Sequence, residues 1–476
     1  MKHAVLWLGL LPTLCLAQTQ LWSEIYPDAQ LQSLTRCPDG NFLAAGTVED
    51  TMYGYIGFQW KVDPEGITVW DQGYYPGTFL YDVICDGDGN VFAVGSSYTP
   101  FIFKWKGWTL KADNSGTMLW QHFPGDPDIA FHYMLNGVCQ GQDGHFVAGG
   151  IGEYDDTLGI GQAWILKFDD SGDTLWNRCY NLGYYAEITS VIAHPDSGYI
   201  ASAVVRHLPD TTYSFALIRL SESGDTLWTK LYNFPQHTYI TDIKVDPSGG
   251  YVGVGSITYQ TEPDVSQGWL AHFDEAGDTL DFLVFPTAET ANLNSIAYCP
   301  PDRWVLAGSQ TVQTDMQAWL LYCDYDGDVL WSQTYGDALT DWASDVAVDD
   351  SGCVYCAGCK NYTGYGADAW IFKVDPQPVG IEPHQEPHPP ESLSLCVHPN
   401  PFNARTIIRY QIPAPANVQL SVYNTCGRRM ATLFEGIRLP GSYQAILHAD
   451  DWPSGVYLLR LQSTGRVQIR KILLLK

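Results

Sequence analysis

The sequence predicts an all-β chain: a seven-bladed β-propeller whose N-terminal strand closes the last blade, followed by a small Ig-like β-sandwich. Three observations predict it. A phrase built on Asp, Gly and Trp recurs at a spacing of roughly fifty residues, the length of a four-stranded blade. Aromatic residues make up 13% of the chain, and 45 Gly punctuate it, so strand-forming segments alternate with turn residues. The charge changes sign along the chain: Cys396 to Lys476 holds 10 Lys/Arg against 3 Asp/Glu, whereas the rest holds 15 against 50. Two modules with different tasks follow from that break.

At 476 residues the chain exceeds a single ordinary core. A formal charge of −28 repels phosphate backbones and argues against nucleic acid as a partner. The chain opens with Met-Lys-His and the apolar run AVLWLGLLPTLCLA, ending on the small residue Ala17. That is the pattern of a secretory signal peptide, 1–17, and the run is short for a membrane span. Removal of Cys15 with it leaves an odd number of cysteines. Export permits disulfides, but the count does not resemble a disulfide framework.

The recurring phrase reads KVDPEGITVW (61–70), KADNSGTMLW (111–120), KFDDSGDTLW (167–176), RLSESGDTLW (219–228), HFDEAGDTLD (272–281) and YCDYDGDVLW (322–331). Each repeat resolves into strands a, b, c and d. Seven a-b-c sets begin near residues 31, 81, 135, 187, 239, 293 and 343, and seven d strands near 20, 67, 117, 173, 225, 278 and 328. The chain thus starts on a d strand and leaves the last set without one. Pairing LWSEIY (21–26) with the seventh set closes the ring and removes its open edges. An open stack of sheets, or six or eight blades, is the competing arrangement. Trp70, Trp120, Trp176, Trp228 and Trp331 read as packing residues between blades. The sixth repeat has Asp281 there and is expected to pack more loosely.

The Asp-Gly-Trp phrase resembles the tryptophan-docking repeat of quinoprotein-type propellers. DVAVDDSGCVYCAG (345–358) and DVICDGDGNVFAVG (82–95) resemble the SBBP β-propeller repeats of bacteria. The resemblance covers 20–375 and implies architecture rather than chemistry. No adjacent cysteine pair of the quinone-dependent dehydrogenases is present, so neither cofactor nor activity is carried over.

The propeller is expected to occupy 18–377, with a Pro-rich linker over 378–395. Beyond it, TIIRYQI, VQLSVYN, YQAILHA, VYLLRLQ and QIRKILLL alternate as strands of a sandwich over 396–476. Pro399-Asn400-Pro401-Phe402-Asn403, Val422-Tyr423-Asn424 before Gly427, Ser454-Gly455-Val456-Tyr457 and the terminal KILLLK carry a further resemblance. This segment is similar to the type A C-terminal sorting domain of the type IX secretion system, related to the flagellar-hook-cap Ig-like domain. The resemblance implies export through the outer-membrane secretion machinery and display at the cell surface. Asn424 departs from the usual Asp at its position.

The a-b and c-d turns are short and share one face; the b-c and d-a connections are long and share the other. Long loops on a rigid scaffold concentrate binding residues. Tyr154, Asp155, Tyr185, Tyr239, Asp341, Trp342 and Tyr362 are the candidate ligand-binding residues there, because rings offer flat faces and carboxylates accept hydrogen bonds. Tyr, Asp and Gly are also ordinary loop residues, and both readings stay open. Cys353, Cys356 and Cys359 lie along a strand where offsets of three face opposite ways, against a metal cluster. Cys37, Cys85, Cys139 and Cys299 read as matching positions of the repeat. The Asp-rich turns at Asp86 and Asp324 suit sharp hairpins; calcium is the one cofactor they leave open.

The leading expectation is a monomeric, non-enzymatic surface or secreted protein that binds polysaccharide, peptide or another protein. The alternative is a secreted hydrolase or lyase with its site in the channel, and a quinone-dependent oxidoreductase comes third. Convergent acids from several blades, with a His or Arg nearby, would favour an enzyme; an aromatic face without them would favour binding.

Overall fold

The computed structural model describes residues 20–376 and 393–475, apart from 51, 53, 100–103, 126–130, 156–157, 208–211, 261–263, 288, 338, 364–365, 399, 401, 403–404, 413–415, 439–440, 450–451 and 464–465. The signal segment, most of the linker, Pro399, Pro401 and Asn403 lie outside the described residues. The chain forms two compact units, divided at Val379–Gly380. No helix occurs among the described residues, and so none is long and apolar enough to cross a membrane.

The first unit is built from four-stranded antiparallel sheets in the manner of a β-propeller. Its inner strands are Ala29–Arg36, Thr78–Cys85, His132–Gln140, Tyr185–Ala193, His237–Val245, Ala291–Cys299 and Thr340–Val348, and sheets 1 to 7 are named after them in order. Sheet 4 is representative: Tyr185–Ala193, Tyr199–Arg206, Tyr213–Leu220 and Thr226–Tyr232 pair outward in sequence order. Sheets 3 and 4 are joined by a single parallel bridge, Gly161 to Tyr185. Sheet 7 is completed by Gln20–Tyr26, with Glu24 opposite Ile371 and Ile25 opposite Trp370. The strand expected to close the last set therefore does pair with it. Neighbouring inner strands touch in order, and the seventh touches the first. Leu31, Phe42 and Phe58 of sheet 1 share a core with Tyr355, Ala357 and Ile371 of sheet 7, and Phe42 stacks on Tyr355 at 3.6 Å.

All seven inner strands carry a bulge at the same place, between Leu31 and Ser33 in sheet 1 and between Ala343 and Asp345 in sheet 7. A bulge bends the strand and brings its backbone against the neighbour. Glycine on the second strand makes room for it. A Cβ on Gly46 would stand 1.9 Å from the Gln30 carbonyl oxygen, and one on Gly358 would stand 2.0 Å from that of Trp342. No side chain fits at those distances, which gives six of the seven sheets a physical reason to repeat glycine there; sheet 4 carries Ala203 opposite Ile188 instead.

The repeated Trp docks onto the next sheet. The indole N–H of Trp22 donates to Pro64 O at 3.0 Å, Trp70 to Asn114 O at 2.9 Å, Trp120 to Asp170 O at 2.9 Å, and Trp176 to Glu222 O at 3.0 Å. Each ring covers the glycine of the receiving turn, as Trp70 covers Gly116. Asp281 breaks the series without leaving a gap. It accepts from His272 Nδ1 at 2.9 Å, only 10% of its side chain is accessible, and Leu283 lies against Gly327 instead.

The cysteines require a correction. Cys37 and Cys85 form a disulfide between sheets 1 and 2, although the odd count gave no sign of a framework. Nor do the four strand-a cysteines share one register. Counted from the bulge, Cys37 and Cys299 stand at the fourth position, Cys85 at the third and Cys139 at the second. That offset lets Cys37 reach Cys85. Cys353 and Cys356, by contrast, pack into different cores, as their spacing predicts.

The second unit holds a three-stranded sheet (Ser394–His398, Arg405–Ile412, Gly441–His448) and a four-stranded sheet (Ala416–Asn424, Arg429–Arg438, Gly455–Ser463, Arg466–Leu474). Alternate residues of both enter one core, including Ile408, Tyr410, Leu420, Val422, Leu459 and Leu461.

Candidate ligand-binding face and central channel

The channel is lined by the bulged inner strands, whose bulge positions read Ser33, Asp82, Gly137, Ser190, Asp242, Ser295 and Asp345 in sheets 1 to 7. The three carboxylates converge on one cavity of about 540 Å³ that Lys244 also lines. Sequence reasoning singled out none of them, because their shared position shows only once the repeats are aligned on the bulge.

Each carboxylate laces neighbouring sheets together. Asp82 accepts from Val83 N and Val138 N, both at 2.8 Å, and from Ser33 Oγ at 2.7 Å. Asp242 accepts from Ile243 N at 2.8 Å, Ile296 N at 3.2 Å, Ser190 Oγ at 3.1 Å and Lys244 Nζ at 3.0 Å. Asp345 accepts from Val346 N at 2.8 Å, Leu34 N at 2.7 Å and Ser295 Oγ at 2.5 Å. Burial pushes the Asp82 carboxyl up to about 6, against the lowering effect of Ser33 and Val138. Burial also raises Asp345. Burial alone would lower Lys244, but Asp242 and Asp345 outweigh it and raise its pKa.

One step towards the long-loop end, a second ring of bonds repeats the lacing. Asn136 Nδ2 donates to Ile188 O at 2.9 Å, Thr241 Oγ1 to Leu293 O at 2.9 Å, and Asn294 Nδ2 to Ala343 O at 2.8 Å. Buried cations staple the short-turn end. Lys167 pairs with Asp143 at 2.5 Å in its own sheet and with Glu222 at 2.9 Å in the next.

On the long-loop face the aromatic side chains form contacting runs. Tyr154 lies 6.0 Å from both His132 and Tyr185, Tyr185 lies 6.2 Å from Tyr213, and Tyr213 lies 5.3 Å from Tyr239. The structure thus brings three predicted residues together through Tyr213, which sequence reasoning missed; its place opening a c strand was the available signal. Tyr185 OH donates to Glu187, which in turn accepts from Asn136 Nδ2 at 2.8 Å. Trp342 and Tyr362 form a separate edge-on pair at 5.6 Å. Asp155 turns inward to its own loop, accepting from Leu158 N at 3.1 Å.

Asp341 does not belong to this face. It is wholly buried, and its oxygens accept from Asp337 N at 2.9 Å and Asn361 N at 2.8 Å, so it holds the loops rather than a ligand. The Asp-rich turns are organised likewise. Asp86 Oδ1 accepts from Asp88 N at 3.0 Å and Asn90 N at 2.8 Å, and Asp324 Oδ1 from Asp326 N at 3.1 Å and Asp328 N at 2.9 Å.

In the second unit, Asn400 clamps the last strand: its Nδ2 donates to Lys471 O and its Oδ1 accepts from Leu473 N, both at 2.9 Å. Phe402 continues the clamp, donating to Leu473 O at 3.0 Å and accepting from Leu475 N at 2.9 Å. Asn424 Oδ1 accepts from Cys426 N at 3.1 Å and Arg428 N at 2.9 Å, the work an Asp would do at that turn, which passes through Gly427 at φ 79°. Tyr457 OH donates to Pro453 O at 2.7 Å. Gly455 opens the strand that carries Tyr457.

No curated protein matches the chain in sequence. The chain is similar in structure to the Neurospora crassa Pan2 WD40 domain, at 12% identity and a TM-score of 0.49, over 76% of this chain and 97% of that one. It is also similar to Sqt1 from Chaetomium thermophilum, at 11% identity and a TM-score of 0.43, over 72% and 83% of the two chains. The β-propeller domain of the Trilobed protease from Pyrococcus furiosus follows at 9% and 0.37, over 83% and 96%. Residues 396–475 match the family described as the secretion system C-terminal sorting domain. Such a domain implies interaction with the type IX secretion machinery and a secreted or cell-surface location.

Proposed function

We propose that the first unit is a closed seven-bladed propeller of the SBBP type that binds a polysaccharide or protein ligand on its long-loop face without transforming it. On this reading the second unit is an immunoglobulin-like sandwich that serves export and anchoring. Closure is supported by the pairing of Gln20–Tyr26 with the seventh sheet and by the core shared between sheets 7 and 1.

The observation that carries the binding reading is the engagement of the channel carboxylates. Asp82, Asp242 and Asp345 each accept a backbone N–H from their own sheet and another from the next, so their lone pairs hold the ring together. The long-loop face offers half-buried rings instead, the surface that sugar rings and peptide side chains stack on. The test is a glycan and peptide array probed with the full chain, with mass spectrometry of the bound fraction. Retention of intact ligand supports the reading; new products overturn it.

A hydrolase reading draws on one observation: Asp82 is pushed up to about 6 in the cavity that Lys244 lines. A carboxyl near neutrality is suited to general acid–base work. Products that disappear in Asp82→Asn, with the fold retained, would favour it.

A further inference from the structure

A second cavity, of about 480 Å³, opens on the long-loop face where sheets 7, 1 and 2 meet. Four rings line it: Tyr55, Phe79, Tyr81 and Tyr362. Tyr55 is 49% exposed and Tyr362 38% exposed, and Tyr55 and Phe79 stand 5.2 Å apart with their planes tilted by 40°. Two carboxylates complete the wall, Asp28 and Glu49, both exposed. Neither carboxylate has a hydrogen bond or ion pair among the described residues. Among the described residues, no Lys, Arg or His lines the cavity.

The wall joins four rings to two carboxylates that no donor among the described residues engages, whereas the channel carboxylates Asp82, Asp242 and Asp345 are spent on backbone amides. Aromatic faces attract cations through the ring quadrupole, and an unpaired carboxylate beside them adds a charged acceptor. The surrounding field has the same sign, since the chain before Cys396 holds 15 Lys/Arg against 50 Asp/Glu. An anionic ligand would meet uncompensated repulsion, and a neutral one would leave both negative charges uncompensated.

We infer that this cavity takes an organic cation, the guanidinium or ammonium group of a basic peptide segment. The inference rests on the reading of the long-loop face as a binding surface and names the chemistry of one site on it. Tyr55 and Tyr362 stack on the cation and its apolar stem. Asp28 and Glu49 accept its hydrogens.

Titration calorimetry of the full chain tests this with N-acetylarginine amide, its neutral isostere N-acetylcitrulline amide, and a hexapeptide carrying one Arg. The arginine amide is expected to bind and the citrulline amide to bind at least about tenfold more weakly. Asp28→Asn with Glu49→Gln, and separately Tyr55→Ala, should each weaken the arginine amide by about tenfold, with the melting temperature unchanged. Asn tolerates the φ of 54° at position 28, so that variant does not strain the turn. Tighter binding of the hexapeptide than of the amide supports a peptide ligand; equal binding overturns that part and leaves a free cation. Equal binding of the citrulline amide, or variants that bind as the parent does, overturns the inference as a whole. A Tyr213→Ala variant separates the two levels: if array ligands are lost there but not in the pocket variants, the face binds and this cavity does not.

Discussion

Asp345 and Leu34 lie 311 residues apart in sequence, and the Asp345 carboxylate accepts the Leu34 backbone N–H at 2.7 Å. This bond ties the seventh inner strand to the first. The same carboxylate accepts from Val346 N and Ser295 Oγ. Asp345→Ala removes this acceptor from the Leu34 and Val346 N–H groups, while Ser295 Oγ keeps Asp242 at 3.2 Å. Each orphaned donor costs about 1–3 kcal/mol, less where channel water replaces the lost acceptor. Denaturant unfolding is expected to show a total loss of about 2–4 kcal/mol; a loss below about 0.5 kcal/mol would count against carboxylate lacing as a stabilising device.

Asp82 gives the lacing a pH signature. Its folded pKa of about 6 lies above the ordinary 3.8, so its contribution is fully present below about pH 4 and is lost as pH rises through about 6. With screening by channel water, the change is on the order of 1–2 kcal/mol. Asp82→Asn should flatten the stability profile between about pH 4 and pH 7 relative to the parent. Parallel profiles would show that the carboxyl titrates normally.

The docked tryptophans are not equivalent. Trp70 donates its N–H to Asn114 O, whereas the buried Trp331 N–H has no partner among the described residues. The receiving turn is absent for Trp331, because sheet 7 takes its outer strand from the N-terminus and has no turn there. Trp70→Phe should cost about 1 kcal/mol more than Trp331→Phe in thermal unfolding. Equal costs would mean that ring packing alone matters at both positions.

The Cys37–Cys85 disulfide spans 48 residues and staples sheet 1 to sheet 2. Loop-closure entropy for such a span is worth about 4 kcal/mol in the unfolded-state account. Double substitution by Ala should lower the melting temperature, and the parent should fall to the same value in reductant. A parent insensitive to reductant would place the stability elsewhere.

Asn400 should govern fraying of the last strand. Removing both of its bonds with Asn400→Ala is expected to speed amide exchange at Leu473 and Leu475 by about tenfold in the full chain. Unchanged exchange would show that Phe402 holds the strand alone.

Much was legible because a repeat reports itself. Successive copies of one supersecondary unit display strand order and turn chemistry in the sequence, the docking Trp recurs except at Asp281, and the unpaired first strand announces its own partner. The family phrases around Asn400 and Tyr457 likewise mark the sorting domain in the sequence, whereas the clamp of Asn400 on the last strand does not show there. What stayed hidden depends on register. A bulge shifts every later residue relative to the facing strand, so sequence position alone could not show that Asp82, Asp242 and Asp345 share one ring, that Cys37 faces Cys85, or that Asp341 points inward. Side-chain pattern determined which strands exist and in what order. The tertiary structure decided which carboxylates are tied to backbone amides and which, at Asp28 and Glu49, remain open, because that follows from how adjacent sheets approach each other around the channel.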